Sequence, residues 1–255
     1  MSRRAAMEFF VGYLPIPAGH RGFLRLLVPT IIWGMCALSA FVAWRMTSSG
    51  DGEWNTADII ELRGLVSAEP YPGVLVRRGE QSSEELVLLV EEGKLPLRSG
   101  LDALAGRLAV ARGTILERGG RRMLELLPGE EGLRIDPDTP AASAPPTPQA
   151  PRLSTVVVGE VVDYKCYLGA MKPGAGVTHR ACAALCVQGG IPPALIVPEV
   201  NGEASVYLLA TEEGARANTL ALPFVGGVAR VRGLVYDGPG GYQVLRIAAG
   251  GLSTP

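Results

Sequence analysis

The sequence predicts an all-β protein behind one N-terminal transmembrane helix, and three observations point to it. An uncharged stretch of 19 residues, Leu26 to Trp44, lies between Arg25 and Arg45 and has about the length that crosses a bilayer. Beyond it, apolar and polar residues alternate over short runs, which is the pattern of strands with one buried face. The 33 glycines and 20 prolines recur at short intervals, and this favours turns over long helices.

Residues 1–22 are predicted to form a cytoplasmic or interfacial tail, and residues 23–46 the transmembrane helix. Four arginines precede the apolar core of this span, whereas the residues directly after it hold one arginine and four acids. By the positive-inside rule, we expect a single-pass protein of the bacterial inner membrane with its N-terminus in the cytoplasm and its C-terminal domains in the periplasm. A cleaved signal peptide is the alternative, because small residues occur at Ala37, Ala40 and Ala43.

Two sets of about five strands follow the span. The first is expected within residues 53–135 and the second within residues 153–250, because runs of alternating polarity are separated there by turn residues. Residues 136–152 are rich in Pro, Ala, Ser and Thr and cannot build a core. We therefore predict an extended, semi-rigid linker between two domains.

The two sets of strands follow one plan. GRLAVARG at 106–113 lines up with GGVARVRG at 226–233, and LRGLV at 62–66 with VGEVV at 158–162. Residues 163–190 form an insertion in the first loop of the second copy, where the first copy has a short connection. A five-stranded unit of this length suits a small closed barrel of the OB type, so we predict two tandem OB-like barrels, with β-sandwiches as the alternative.

The insertion holds three of the four cysteines and one of the two histidines, namely Cys166, His179, Cys182 and Cys186. ACAALCVQ is predicted to form a short helix, with Thr178 as its N-cap and a glycine pair as its end. On this helix the histidine and the two later cysteines fall at i, i+3 and i+7 and share one face. The first cysteine lies before a flexible KPGAG segment and can fold back over that face.

A set of three sulfurs and one imidazole fits a tetrahedral ion such as zinc, and iron or haem are alternative cofactors. The spacing C-x12-H-x2-C-x3-C is not that of a standard zinc finger, and the sequence has no C-x-x-C-H for covalent haem. One ion can reach both His179 and Cys186 only if the helix begins near Arg180. Outside the cytoplasm, the alternative is a disulfide of Cys166 with Cys182 or Cys186, which leaves one thiol for redox chemistry.

The segment VVDYKCYLG at 161–169 and the segment HRACAALCVQGGIPP at 179–193 together give a C…HxxCAxxCxxGGxP pattern. In this pattern the second copy resembles a group of bacterial membrane-anchored or exported tandem OB-like proteins of unassigned function. The first copy is similar to them only in its barrel pattern and lacks every Cys and His of the motif. The resemblance implies a fold and an exported location, without a biochemical role.

The sequence argues against several function classes. A net charge of −1 offers no broad basic surface, so we expect no nucleic-acid partner. No Ser/His/Asp set, phosphate-binding glycine loop or paired-carboxylate motif indicates a hydrolase, kinase or dehydrogenase. A non-enzymatic role is therefore favoured over a catalytic one.

The expected function is that of a membrane-tethered periplasmic accessory or binding subunit. Its partners would be the inner membrane, through residues 23–46, and other membrane or periplasmic proteins. The insertion would hold a metal or haem for a respiratory or cofactor-handling complex. Two alternatives stay open: a structural interaction module with a disulfide-braced loop, and a thiol oxidoreductase.

Overall fold

The protein is mostly β, with one N-terminal apolar helix, as predicted. The computed structural model describes residues 18–47, 51–78, 83–95, 104–135, 151–198, 204–238 and 241–255. The chain divides into two compact units, Met1–Ser49 and Gly50–Pro255. Most of the predicted tail, residues 1–17, and most of the predicted linker, residues 136–150, lie outside the described residues.

Helix α1 spans Ala18–Thr47 and contains the whole predicted span. Its segment Gly19–Trp44 is long and apolar enough to cross a membrane by length and composition, with a mean hydropathy of 2.1 over its most apolar window. None of that window is buried within the structure. Most of the large apolar side chains of α1 are exposed, unlike those of a core helix.

The first strand set consists of six strands that form one sheet. The strands are β1 (Glu53–Ser67), β2 (Gly73–Arg78), β3 (Ser83–Val90), β4 (Leu108–Arg118), β5 (Arg121–Leu126) and β6 (Leu133–Ile135). Their order is β1-β2-β3-β5-β4-β6, and β1 also pairs with β4. β3 and β5 are parallel, and the other pairs are antiparallel.

The second strand set forms a closed barrel of five strands. They are β7 (Leu153–Asp163), β8 (Pro193–Pro198), β9 (Ala204–Ala210), β10 (Gly227–Asp237) and β11 (Gln243–Ser253). The order around the barrel is β10-β11-β9-β8-β7, with β9 and β11 parallel. Helix α2 (Arg180–Gln188) lies between β7 and β8, and helix α3 (Asn218–Ala221) lies between β9 and β10.

Strand β10 illustrates why these segments form strands. Ala229, Val231 and Val235 are buried, whereas the side chains between them are exposed, so period-two alternation points one face to the core. Gly233 also lies on the buried face. A Cβ at this position would lie 2.9 Å from the backbone carbonyl carbon of Arg246 on β11. A glycine is required where two strands approach this closely.

The first strand set and the second barrel share a hydrophobic core. One cluster of buried side chains contains members from both, among them Leu88 and Met123 of the first set and Val162 and Leu208 of the barrel. The Tyr71 hydroxyl donates a hydrogen bond to the Leu209 carbonyl at 2.6 Å and accepts one from the Ala217 amide at 3.0 Å. From the second part to the first, the Tyr242 hydroxyl donates a hydrogen bond to the Arg122 carbonyl at 2.8 Å. The two parts are therefore packed together by apolar and polar contacts.

Candidate functional site

The Cys/His segment leaves the second barrel at the end of β7 and returns at the start of β8. It forms a π-helical turn at Cys166–Ala170, a 3-10 turn at Val177–His179 and then α2. The loop between the two turns passes close to the first of them, because a Cβ on Gly174 would lie 2.6 Å from the Cys166 carbonyl carbon. This glycine lets the chain fold back so that the later Cys/His residues meet Cys166.

Helix α2 starts later than predicted. Its N-cap is His179 and not Thr178, which is exposed inside the preceding 3-10 turn. The physical reason is that the His179 amide closes this turn by donating to the Gly176 carbonyl at 3.0 Å, while its imidazole is held elsewhere. From the sequence spacing, one ion could reach both His179 and Cys186 only if the helix began near Arg180. Helix α2 does begin at Arg180. The predicted end is confirmed, with Gly189 as the C-cap.

Asp163, the last residue of β7, organises the centre of the site. Its carboxylate is fully buried, and Oδ2 lies 2.9 Å from Nε2 of the buried His179. Its Oδ1 accepts a hydrogen bond of 2.8 Å from the Cys166 amide. A buried carboxylate is costly unless such bonds satisfy it. Asp163 therefore orients the imidazole and the Cys166 backbone at the same time.

The potential ligand atoms form two overlapping groups that share Cys166. Cys166, His179 and Cys182 form one group, and Asp163, Cys166 and Cys186 the other. Within each group the ligand atoms all lie within 4.8 Å of one another. The structure thus brings His179, Cys182 and Cys186 each close to Cys166, but Cys186 is in a different group from both His179 and Cys182. The sequence reasoning did not assign Asp163 to the site, although its position three residues before Cys166 was visible.

All four cysteines of the chain are free thiols in the structure. A hydrogen bond from Cys166 lowers the pKa of Cys186 to about 7, helped by the positive charge of Lys94 and opposed by burial and by Asp163. The same bond, together with burial, raises the pKa of Cys166. Of these two thiols, Cys186 is therefore the one that ionises first.

Lys94 reaches the site from the turn that follows β3, and the sequence reasoning missed it. Its Nζ donates to Cys182 Sγ at 2.9 Å and lies 3.6 Å from Cys186 Sγ. The bond to Cys182 is the main reason that the pKa of Lys94 is raised. Lys94 precedes Cys182 by 88 residues, so no local pattern could have connected them.

A second lysine, Lys165, fastens this turn to the second barrel. It is almost fully buried, forms an ion pair with Glu125 of β5, and donates to the Gly93 carbonyl at 2.7 Å. Buried lysines need such partners because an unpaired buried ammonium is costly. Lys165 therefore acts on the site through the backbone of the turn beside Lys94.

No protein-family model, curated protein or solved structure matches this chain.

Proposed function

We propose that the insertion binds one transition-metal ion of the zinc class on a membrane-anchored protein. The observation that carries the proposal is the position of Asp163. A histidine that ligates a metal commonly donates its other ring N–H to a carboxylate, which selects the tautomer and orients the ring. With His179 Nε2 directed to Asp163, the Nδ1 lone pair is left for a metal.

The donor set fits a small ion with a preference for sulfur. Three thiolates and one imidazole, from Cys166, Cys182, Cys186 and His179, are ligands that zinc takes in tetrahedral sites. With Zn–S bonds of about 2.3 Å, the sulfurs of such a site lie about 3.8 Å apart. The donor atom of Cys166 lies within 4.8 Å of those of His179, Cys182 and Cys186. Cys186 is not grouped with His179 or Cys182, so its sulfur would have to move toward them for one ion to bind all four residues. Hard ions such as magnesium prefer oxygen ligands and are disfavoured by this set.

Zinc is preferred over the other cofactors that the sequence left open. A haem takes one or two axial ligands on opposite sides of a broad macrocycle. Here the donor atoms crowd around Cys166 instead, and Cys166, His179 and Cys186 are all buried. Iron bound by the same four residues would use the same donors, and metal analysis distinguishes it from zinc.

We also propose that both parts of the fold are OB-like barrels of one repeated plan. Their strands pair in the same succession, with the third and fifth strands parallel in each. Gly64 pairs with Ala109, and Gly159 with Ala229, at equivalent places in the two parts. By this register LRGLV corresponds to VVGEV at 157–161, one residue earlier than the sequence alignment had it.

The proposed setting is the bacterial inner membrane, with the barrels in the periplasm and the N-terminus in the cytoplasm. Helix α1 supports an anchor by its length and composition, and the arginine asymmetry of the sequence supports the orientation. In this setting the protein would be an accessory or binding subunit of a respiratory or cofactor-handling complex. Its partners would be other membrane or periplasmic proteins.

The second candidate is thiol chemistry, either a disulfide-braced interaction module or a thiol oxidoreductase. It is favoured by the hydrogen bond between Cys166 and Cys186, whose sulfur atoms lie within 4.8 Å of each other. A thiol with a pKa of about 7, as for Cys186, is partly ionised at neutral pH and can attack a disulfide. The two candidates differ in metal content and in the number of free thiols.

The test is cobalt binding by the full chain, purified in detergent, reduced and stripped of metal. We expect one cobalt ion per chain, with thiolate-to-cobalt charge-transfer absorption, displaced by an equivalent of zinc. Cys182→Ser and His179→Ala should each abolish the tetrahedral spectrum, because each removes a ligand.

Asp163→Asn is the decisive variant. An asparagine NH2 facing Nε2 would force the proton onto Nδ1, so metal affinity should fall about ten- to a hundredfold although all ligands are retained. Asp237→Asn is the control, because the Asp237 carboxylate is exposed and pairs only with the exposed Arg152 among the described residues. If the reduced wild-type chain gives no cobalt absorption, and the chain as purified before reduction has Cys166 crosslinked to Cys182 or Cys186, the metal proposal is overturned in favour of thiol chemistry.

A further inference from the structure

We infer that Lys94 belongs to the metal site as the counter-charge of its thiolates, so that the site is complete only when the first strand set is packed on the second barrel. This inference rests on the proposed metal function and deepens it. It assigns a residue of the first strand set to a site whose proposed ligands all come from the second barrel.

The contacts of Lys94 are directed at one face of α2. Its Nζ lies 2.9 Å from Cys182 Sγ, 3.4 Å from the Cys182 carbonyl oxygen and 3.6 Å from Cys186 Sγ. The two sulfurs are four residues apart on a helix and so lie on the same side. Among the described residues, no carboxylate forms a salt bridge with Lys94. Its charge is therefore directed at the sulfurs.

Contacts with Lys165 and with Gly189 fix the turn that carries Lys94. On one side, Lys165 donates to the carbonyls of Gly93 at 2.7 Å and Glu91 at 3.3 Å, which holds the turn. On the other side, the Lys94 carbonyl packs directly against Gly189. A Cβ on residue 189 would occupy the same space as this carbonyl, so the contact requires glycine. A surface lysine that met the thiols by chance would need neither arrangement.

The charge balance explains why a cation is needed. A divalent ion with three thiolates and a neutral imidazole carries one net negative charge, and the buried Asp163 carboxylate lies beside it. Excess negative charge in a buried site is unfavourable unless a cation or hydrogen-bond donors compensate it. An ammonium within hydrogen-bond distance of two thiolates supplies both, and such charge-assisted bonds are stronger than neutral ones.

Lys94 also contacts the most accessible of the proposed ligands. Cys166 and Cys186 are buried, whereas Cys182 is only partly buried. A lysine can lay its methylene chain over apolar surface while its ammonium contacts the polar atom. Lys94 is therefore expected to limit access of chelators and oxidants to Cys182 as well as to balance its charge.

The experiment compares Lys94→Met, Lys94→Arg and the control Lys172→Met in the full chain in detergent. Lys172 is an exposed lysine of the insertion and is not among the potential ligands. Cobalt affinity is measured by competition with a chelator, and the reaction of Cys182 with a maleimide is followed by mass spectrometry in the metal-bound protein. Circular dichroism and thermal unfolding report whether each variant is folded.

We expect Lys94→Met to bind cobalt about ten- to a hundredfold more weakly, the effect of losing a hydrogen bond to a charged group, and to label faster at Cys182. Lys94→Arg keeps the charge and should recover most of the affinity. Lys172→Met should match the wild type. If Lys94→Met does not fold, Lys94→Gln takes its place; it keeps a donor but loses the positive charge, and should also bind cobalt more weakly than the wild type.

The outcomes separate this inference from the proposed function. If the wild type binds cobalt and Lys94→Met or Lys94→Gln binds it equally well, the metal site stands and the role of Lys94 is overturned. If Lys172→Met weakens binding as much as Lys94→Met, general charge and not the contact is responsible, and the inference is again overturned. If the wild type binds no cobalt, both proposals fail.

Discussion

The pKa of Cys186 is lowered mainly by its hydrogen bond to Cys166, while the nearby charges of Asp163 and Lys94 raise and lower it respectively. Asp163 raises the pKa of Cys166, in addition to the larger effects of its bond to Cys186 and of burial, while Lys94 lowers that of Cys186. The hydrogen bond between the two cysteines is the main source of this difference in pKa, because the thiol of Cys166 stabilises the thiolate of Cys186. At the scale of single residues, the site therefore holds one thiol that ionises readily and one that does not.

This asymmetry gives a pH-dependent prediction for the metal-free protein. Cys186 should ionise with a pKa of about 7, and Cys166→Ala should raise that pKa because the stabilising thiol is lost. Since the folded pKa lies below that of an unfolded cysteine, the stability contributed by this thiolate is full above the unfolded value and is lost as the pH falls through about 7. Ultraviolet thiolate absorbance against pH measures the transition.

The assignment to Cys186 has its own control. A Cys36→Ala background removes the cysteine of α1 from the absorbance, and Cys186→Ala should then eliminate the component near neutral pH. Persistence of that component in Cys186→Ala would show that another thiol carries it.

At the scale of elements, α2 is held at both ends by contacts outside the helix. At its start, the Arg180 side chain donates to the Val225 carbonyl at 3.1 Å. At its end, the Asn218 amide donates to the carbonyls of Val187 and Ile191, both at 2.8 Å. The Val187 carbonyl also accepts a hydrogen bond from the Gly190 amide at 3.0 Å, so the Asn218 contact adds to the bond that closes the last turn. A nine-residue helix is marginal alone, so such contacts determine where Cys182 and Cys186 lie.

Gly189→Ala tests the contact between this helix and the turn that carries Lys94. The backbone of residue 189 has φ −70°, which alanine adopts without strain, but its Cβ would overlap the Lys94 carbonyl oxygen. We expect a loss of about 1–3 kcal/mol in the free energy of unfolding, the cost typical of overpacking, and faster labelling of Cys182. Denaturant unfolding and maleimide labelling measure the two effects.

Gly22→Ala is the matched control, because a Cβ there has no atom within 4 Å. Unchanged stability and unchanged labelling in Gly189→Ala would mean that the turn moves away at little cost, and that the packing of Lys94 against α2 is loose.

At the scale of the whole molecule, residues 51–255 contain two strand sets that share a core. Tyr71 of the first part inserts its hydroxyl between the Leu209 carbonyl and the Ala217 amide of the second. Burial raises its pKa well above the usual value, so the hydroxyl keeps its proton and can donate. The shared cluster of apolar side chains predicts that the two parts unfold together.

Tyr71→Phe is expected to lower the free energy of unfolding by about 1–3 kcal/mol, because it leaves a buried carbonyl and a buried amide without this partner. The denaturation curve should stay a single transition with a lower midpoint when followed by circular dichroism and by tryptophan fluorescence. Tyr236→Phe, at a half-buried position stacked on Arg246, is the control and should change little. Two separated transitions, only one of them shifted, would contradict a shared core.

The sequence by itself predicted the apolar N-terminal helix, the predominance of strands and the segment that carries Cys166, His179, Cys182 and Cys186. Each of these depends on residues close together in the chain: a run long enough to cross a bilayer, alternation with period two, and spacing along one helix. The N-cap at Thr178 was wrong because a tertiary contact, from His179 to Asp163, competes with the local capping preference.

Only the tertiary structure decided which residues surround the thiols. Lys94 and Cys182 are 88 residues apart, and Tyr71 and Leu209 are 138 apart. The pairing of strands and the packing of one strand set on the other bring such residues together, and neither composition nor periodicity encodes which distant side chains will meet. The candidate ligands and the neighbouring Asp163 are therefore visible in the sequence, whereas the contact of Asp163 with His179 and that of Lys94 with Cys182 are visible only in the fold.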